Sequence, residues 1–232
     1  MADSSARPVQ TTLDELFKIG PGPSSSHTMG PMRITYDFYR RASGLPAALL
    51  ARATGIEVRL YGSLSATGRG HGTDRAALAG LLGQSPATCP PEFLDRLAAD
   101  PACVHALTLG PAALDVGLAN IVFEDPRVPA PHPNTMSVRL MAGADVLHEL
   151  EYYSVGGGFI EWRGYAAPAK GWPAHPYENM AELRAHVTDG NVPLARVLLD
   201  NEMSISGKPE AEIWAFVDQV IERLVVTVDD GL

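Results

Sequence analysis

A chain of 232 residues with 46% hydrophobic and 19% charged side chains can bury one substantial core or two small ones, and is too apolar to stay disordered. Its formal net charge of −9 argues against nucleic acid or an anionic membrane as the main partner. No apolar run reaches membrane-spanning length, the first ten residues lack a signal peptide's apolar centre, and the two cysteines point to a reducing, cytoplasmic setting rather than a disulfide framework.

Residues 1–12 read as a flexible N-terminal tail. Leu13 to Phe17 predicts a short helical turn capped by Thr12, which the Gly20-Pro21-Gly22-Pro23 collar ends. The most informative stretch follows: Ser24-Ser25-Ser26-His27-Thr28, and then Met32, Ile34, Tyr36, Phe38 and Tyr39 at helical spacing. Ser25 or Ser26 makes a good N-cap for a helix running to about Arg41. A helix start edged with hydroxyls and one imidazole suits a small anion such as a carboxylate. An ordinary serine cap beside a Gly/Pro loop accounts for the same residues.

Ile56, Val58 and Leu60 alternate with polar neighbours and predict a half-buried strand. Gly68 to Gly72 predicts a flexible loop around His71, followed by a helix through about Leu82 capped by Thr73 or Asp74. Further elements are a short helix near Pro91–Ala98, a strand over Leu118–Phe123, and a hairpin. The hairpin runs from Met136–Met141 through Ala142-Gly143-Ala144-Asp145 into Val146–Val155, which leads in line to Gly156-Gly157-Gly158. Three glycines there imply close packing against a ligand or another backbone, or unusual dihedrals. Helices over Met180–Val187, Pro193–Met203 and Glu210–Val226 complete the chain. Hairpin-like strands that do not alternate regularly with helices predict an α+β fold, with a largely antiparallel or mixed sheet and packed helices.

Three polar clusters stand out besides the serine run. His71 between two glycines is placed to act as acid, base or substrate donor, or simply to precede a capped helix. His132-Pro133-Asn134 presents donors and acceptors at a strand entrance, where a structural turn serves as explanation equally well. Neither a dinucleotide nor a Walker-type fingerprint occurs. Cys89 and Cys103 are too few for an iron–sulfur cluster, and no close Cys/His pairing offers zinc ligands, so any such metal has to come from elsewhere.

In this order, Leu16–Met32, Gly70–Asp74, His132–Asn134 and Tyr152–Phe159 closely resemble the iron–sulfur L-serine dehydratase (L-serine ammonia-lyase) family, over roughly residues 12–204. The resemblance places this chain as the family's β portion, with residues 13–204 as the β domain and residues 205–232 as a helical link toward an absent α portion. It implies deamination of L-serine to pyruvate and ammonia, with a 4Fe–4S cluster ligated by that α portion and no metal ligands in this chain. It also implies that this polypeptide alone is inactive, and that the enzyme is a homo-oligomer. Carried onto this sequence, His27 and His71 become the acid/base or orienting residues. Ser25, Ser26 and Thr28 would bind the substrate carboxylate, Asp74 would orient a neighbouring donor, and His132 with Asn134 would complete the polar wall. Thr135 departs from the family pattern, where glycine commonly follows the asparagine. A non-catalytic serine-binding or oligomerisation module is the alternative, and the resemblance does not say which residue is the base.

Overall fold

The computed structural model describes residues 7–230, which divide into two compact units. The chain up to Phe17 joins everything from Ala166 onward in one unit, and Lys18–Tyr165 forms the other. Of the expected tail, residues 1–6 lie outside the described residues, whereas the Val9 N–H donates to the Tyr177 carbonyl at 2.8 Å. A single turn, α1 (Leu13–Leu16), begins after Thr12, whose N–H donates to Glu15 in a capping box as the sequence predicts.

The central unit starts with one π turn over Ser25–Met29, continuous with α2 (Gly30–Ser43). The cap is Ser24, one residue before the predicted positions: its hydroxyl accepts from the His27 N–H at 3.1 Å. The shift follows from the wider turn, in which the Met29 N–H reaches back five residues to the Ser24 carbonyl. Next come α3 (Ala47–Leu50), β1 (Gly55–Leu60) and α4 (Gly62–Thr67), then a 3₁₀ turn over Gly68–His71, α5 (Thr73–Leu81) and α6 (Pro91–Ala99). The stretch expected to be a flexible loop is therefore helical, and Gly72, in a left-handed conformation, caps α5 in place of Thr73 or Asp74.

The remaining strands are β2 (His105–Leu109), β3 (Ala112–Val116), β4 (Ile121–Phe123), β5 (Thr135–Ala142), β6 (Asp145–Gly156) and β7 (Phe159–Trp162). Leu118–Asn120 forms a 3₁₀ turn, which shortens the predicted strand to its last three residues. The main sheet is mixed, in the order β4-β1-β5-β6-β7, with only β1 and β4 parallel, and β2–β3 is a separate hairpin. Gly156–Gly158 is the turn between β6 and β7, with φ of 100°, 57° and 77°, so the glycines answer a need for unusual dihedrals.

Ile56, Val58 and Leu60 of β1 and Met136, Val138 and Leu140 of β5 face the core together with Met32, Ile34 and Phe38 of α2. Helix α2 lies against α5 and against β6. Tyr152, fully buried on β6, donates its hydroxyl to Asp37 of α2 at 2.8 Å, and burial beside that carboxylate holds the phenol protonated.

The other unit carries α7 (Met180–Thr188), α8 (Leu194–Ser206) and α9 (Glu210–Asp230). Asn179 caps α7 through its side chain, and Asn201 exchanges two hydrogen bonds with the His175 main chain at 2.7 and 2.9 Å. Glu202 is 7% exposed and accepts from the Leu13 N–H at 2.9 Å. No helix among the described residues is long and apolar enough to cross a membrane.

Candidate active site

Four segments of the central unit that are far apart in sequence are stitched together by side chains gripping main-chain carbonyls. Thr28 Oγ1 donates to the His71 carbonyl at 2.8 Å, and Thr73 Oγ1 donates to the His27 carbonyl at 2.5 Å. Ser154 Oγ donates to the Ser26 carbonyl at 2.8 Å, while its own carbonyl accepts from Asn134 Nδ2 at 3.1 Å. The Ser63 N–H donates to the Pro133 carbonyl at 2.7 Å. Gly62, with φ of 54°, admits that approach, because a Cβ there would overlap the Pro133 oxygen. The serine turn, the glycine-flanked histidine, the His-Pro-Asn entrance and the end of β6 thus form one assembly.

Within it the rings of His27 and His71 stand 5.0 Å apart. His27 Nδ1 meets Ser26 Oγ at 2.9 Å and Nε2 meets Ser63 Oγ at 3.0 Å. Burial first, and then the neighbouring His71 charge, push the His27 pKa below its usual value, which favours the neutral ring. His71 Nδ1 lies 2.9 Å from the Thr67 carbonyl. A carbonyl only accepts, so Nδ1 carries the hydrogen, and in the neutral ring the lone pair sits on Nε2, which has no hydrogen-bond partner among the described residues. His132 has the opposite tautomer: its Nδ1 accepts from the Asn134 N–H at 3.0 Å, which leaves Nε2–H as a donor.

Ser25 is exposed, and its hydroxyl makes none of the hydrogen bonds among the described residues. The Ser25 and Ser26 N–H groups open the turn, where intrahelical acceptors are lacking. Thr28 and Asp74 differ from the rest. Thr28 is fully buried with its hydroxyl hydrogen committed to His71, so it joins two loops rather than facing a ligand. Asp74 accepts from the Arg75 N–H at 2.9 Å and lines a separate cavity of about 530 Å³ with Arg69, Arg75 and Phe123. Sequence reasoning passed over Ser63, Thr73 and Ser154 as site residues. Their shared signal, a hydroxyl beside a glycine or histidine motif, is too common to single them out.

Among the described residues no group of three or more His, Cys, Asp or Glu side chains is placed to hold a metal ion. Cys89 is buried against the Pro90 carbonyl, and Cys103 pairs with no other thiol. These residues do not fit an iron–sulfur cluster, which takes several thiolates.

Residues 12–164, which contain every segment of this assembly, match the family model described as serine dehydratase beta chain. The chain belongs to the serine dehydratase beta-chain family. It is 32% identical over 223 residues to L-serine dehydratase 1 of Escherichia coli K12, covering 91% of this chain and 48% of that protein. Identity to L-serine dehydratase TdcG of the same organism is 34%, covering 90% of this chain and 48% of that protein. Identity to an L-serine dehydratase of Mycobacterium tuberculosis is 37%, over 81% of this chain and 41% of that protein. The chain thus spans about half the length of the curated relatives it matches.

Proposed function

We propose that this chain is the β portion of an iron–sulfur L-serine dehydratase, a lyase that converts L-serine to pyruvate and ammonia. In this reading His71 is the general base and His27 the neighbouring imidazole whose neutral form burial favours. The observation that carries it is the His71 hydrogen bond to the Thr67 carbonyl, which leaves the Nε2 lone pair 2 bonds removed from an anchored nitrogen and beside a second imidazole. Nε2 takes the α-proton of serine, the Cβ–OH bond breaks with the hydroxyl taking the proton from His71 and leaving as water, and the resulting aminoacrylate is hydrolysed to pyruvate and ammonia.

The other groups bind and orient. The Ser25 hydroxyl and the Ser25 and Ser26 N–H groups, at the start of a turn continuous with α2, supply donors of the kind a carboxylate needs, and His132 Nε2–H adds a donor at the entrance to β5. Asn134, held through Nδ2 by Ser154, adds an amide oxygen at the same strand entrance. The cluster in this reading is ligated by an α portion or chain outside these 232 residues, since this chain's own side chains do not fit it. Cytoplasmic location and homo-oligomeric assembly go with the same reading.

The test is made in the complete enzyme, with His71→Ala and His27→Ala. A base role for His71 predicts a loss of about 10²–10⁴-fold in kcat with little change in KM. Near-normal turnover at saturating serine with shifted activation would instead make this a serine-sensing module.

A further inference from the structure

The cavity of about 530 Å³ beside α5 lies within the central unit, and none of His27, His71 and His132 lines it. Two guanidinium groups do. Arg69, from the 3₁₀ turn before α5, is exposed and makes no hydrogen bond or ion pair among the described residues. Its guanidinium carbon lies 4.2 Å from the centre of the Phe123 ring, and such stacking holds the planar fork in one orientation. Arg75, the third residue of α5, has a buried Nε with no acceptor among the described residues. Its ion pair, with exposed Asp95, is 4.0 Å long.

We infer that this cavity is a binding site for a phosphate group, free or in a small organic monoester, held between Arg69 and Arg75. A charged donor shut away from water without an acceptor is costly, and Arg75 Nε is such a donor. Its place on the helix adds to the cost. The first turn of α5 carries partial positive charge and no side chain caps it, so Arg75 brings a cation where an anion is preferred. The guanidinium also lies close over Gly72, where a Cβ would overlap Arg75 Nε. Against these positive groups the lining offers one carboxylate among the described residues, Asp74, which accepts from the Arg75 main-chain N–H at 2.9 Å. A bound anion answers all of these charges together.

The pair of guanidinium groups selects the kind of anion. One fork occupies both oxygens of a carboxylate, whereas a phosphate keeps oxygens free for a second fork and for main-chain N–H groups. Ala98, Leu118 and Ile121 add an apolar wall, which suits an organic substituent on the phosphate. None of this depends on the reaction proposed above.

Isothermal titration calorimetry of the 232-residue chain with inorganic phosphate, in a chloride buffer of low ionic strength, should show saturable binding. Arg69 is exposed, so Arg69→Gln spares the core, and it should weaken binding about tenfold or more. Arg75→Gln should do the same. Arg127→Gln, whose arginine pairs with Asp125 and does not line the cavity, should leave the affinity unchanged. Phenyl phosphate separates the two sources: tighter binding than inorganic phosphate assigns the site to an organic monoester, and equal or weaker binding to the free anion. No saturable binding at millimolar phosphate would overturn the proposal. So would an Arg69→Gln chain that binds as tightly as its parent, or one that loses no more than Arg127→Gln. Acetate binding as tightly as phosphate would overturn the choice of phosphate.

Discussion

Gly30 opens α2 with its Cα directly against the side chain of Ser154 on β6: a Cβ at Gly30 would overlap Ser154 Oγ and sit 3.0 Å from Ser154 Cβ. The contact lets Ser154 reach the Ser26 carbonyl, and so joins the serine turn to the sheet.

Gly30→Ala is therefore expected to destabilise the chain by about 1–3 kcal/mol, the usual cost of forcing atoms into a packed site. Gly70→Ala is the control, because a Cβ there meets nothing within 4 Å and Gly70 does not have a left-handed φ. Urea midpoints of the two variants should differ clearly, and equal midpoints would refute the steric argument.

Ser154→Ala removes the donor to the Ser26 carbonyl from a fully buried position and should cost about 1–3 kcal/mol. In the double variant the Gly30→Ala penalty should shrink, since the overlapping oxygen is gone. A double-mutant cycle showing strict additivity would mean that the two residues do not interact.

The pH dependence of stability has a definite sign. Burial lowers the pKa values of both His27 and His148 from 6.5, so the unfolded chain takes up protons that the folded chain refuses. Their contribution is complete above pH 6.5 and is lost as pH falls toward their folded values. Unfolding midpoints measured between about pH 7.5 and 5.5 should fall on acidification, and the fall should be smaller in His148→Gln.

Glu202 behaves oppositely. Burial raises its pKa above 4.5, so its charged form weakens the fold at neutral pH and the penalty disappears on acidification. Glu202→Gln keeps an acceptor for the Leu13 N–H and is expected to equal or exceed the parent's stability at pH 7, with the advantage gone near pH 4.5. Thermal unfolding at the two pH values decides it.

Much of this architecture is legible in the sequence because period and alternation are local. Ile56/Val58/Leu60 and Met136/Val138/Leu140 mark β1 and β5, and Thr12 sits where a cap is expected. The β2–β3 hairpin and β7 are short, and the sequence reading does not resolve them as strands. The Ser24 cap was displaced by a π turn, whose five-residue reach leaves no compositional mark. In the candidate site, His27, His71, His132 and Asn134 announce themselves through neighbouring glycines and prolines. Ser63 does not, because its meaning depends on a histidine 36 residues away.

The carbonyl oxygens of Ser26, His27, His71 and Pro133 are the knots of the assembly, and each is available whatever side chain its residue carries. Reactivity and framework are thereby decoupled: an imidazole can be exchanged for another group while the mesh around it stays tied. A lineage or a protein engineer can accordingly retune the chemistry of this pocket without first rebuilding the vessel that contains it.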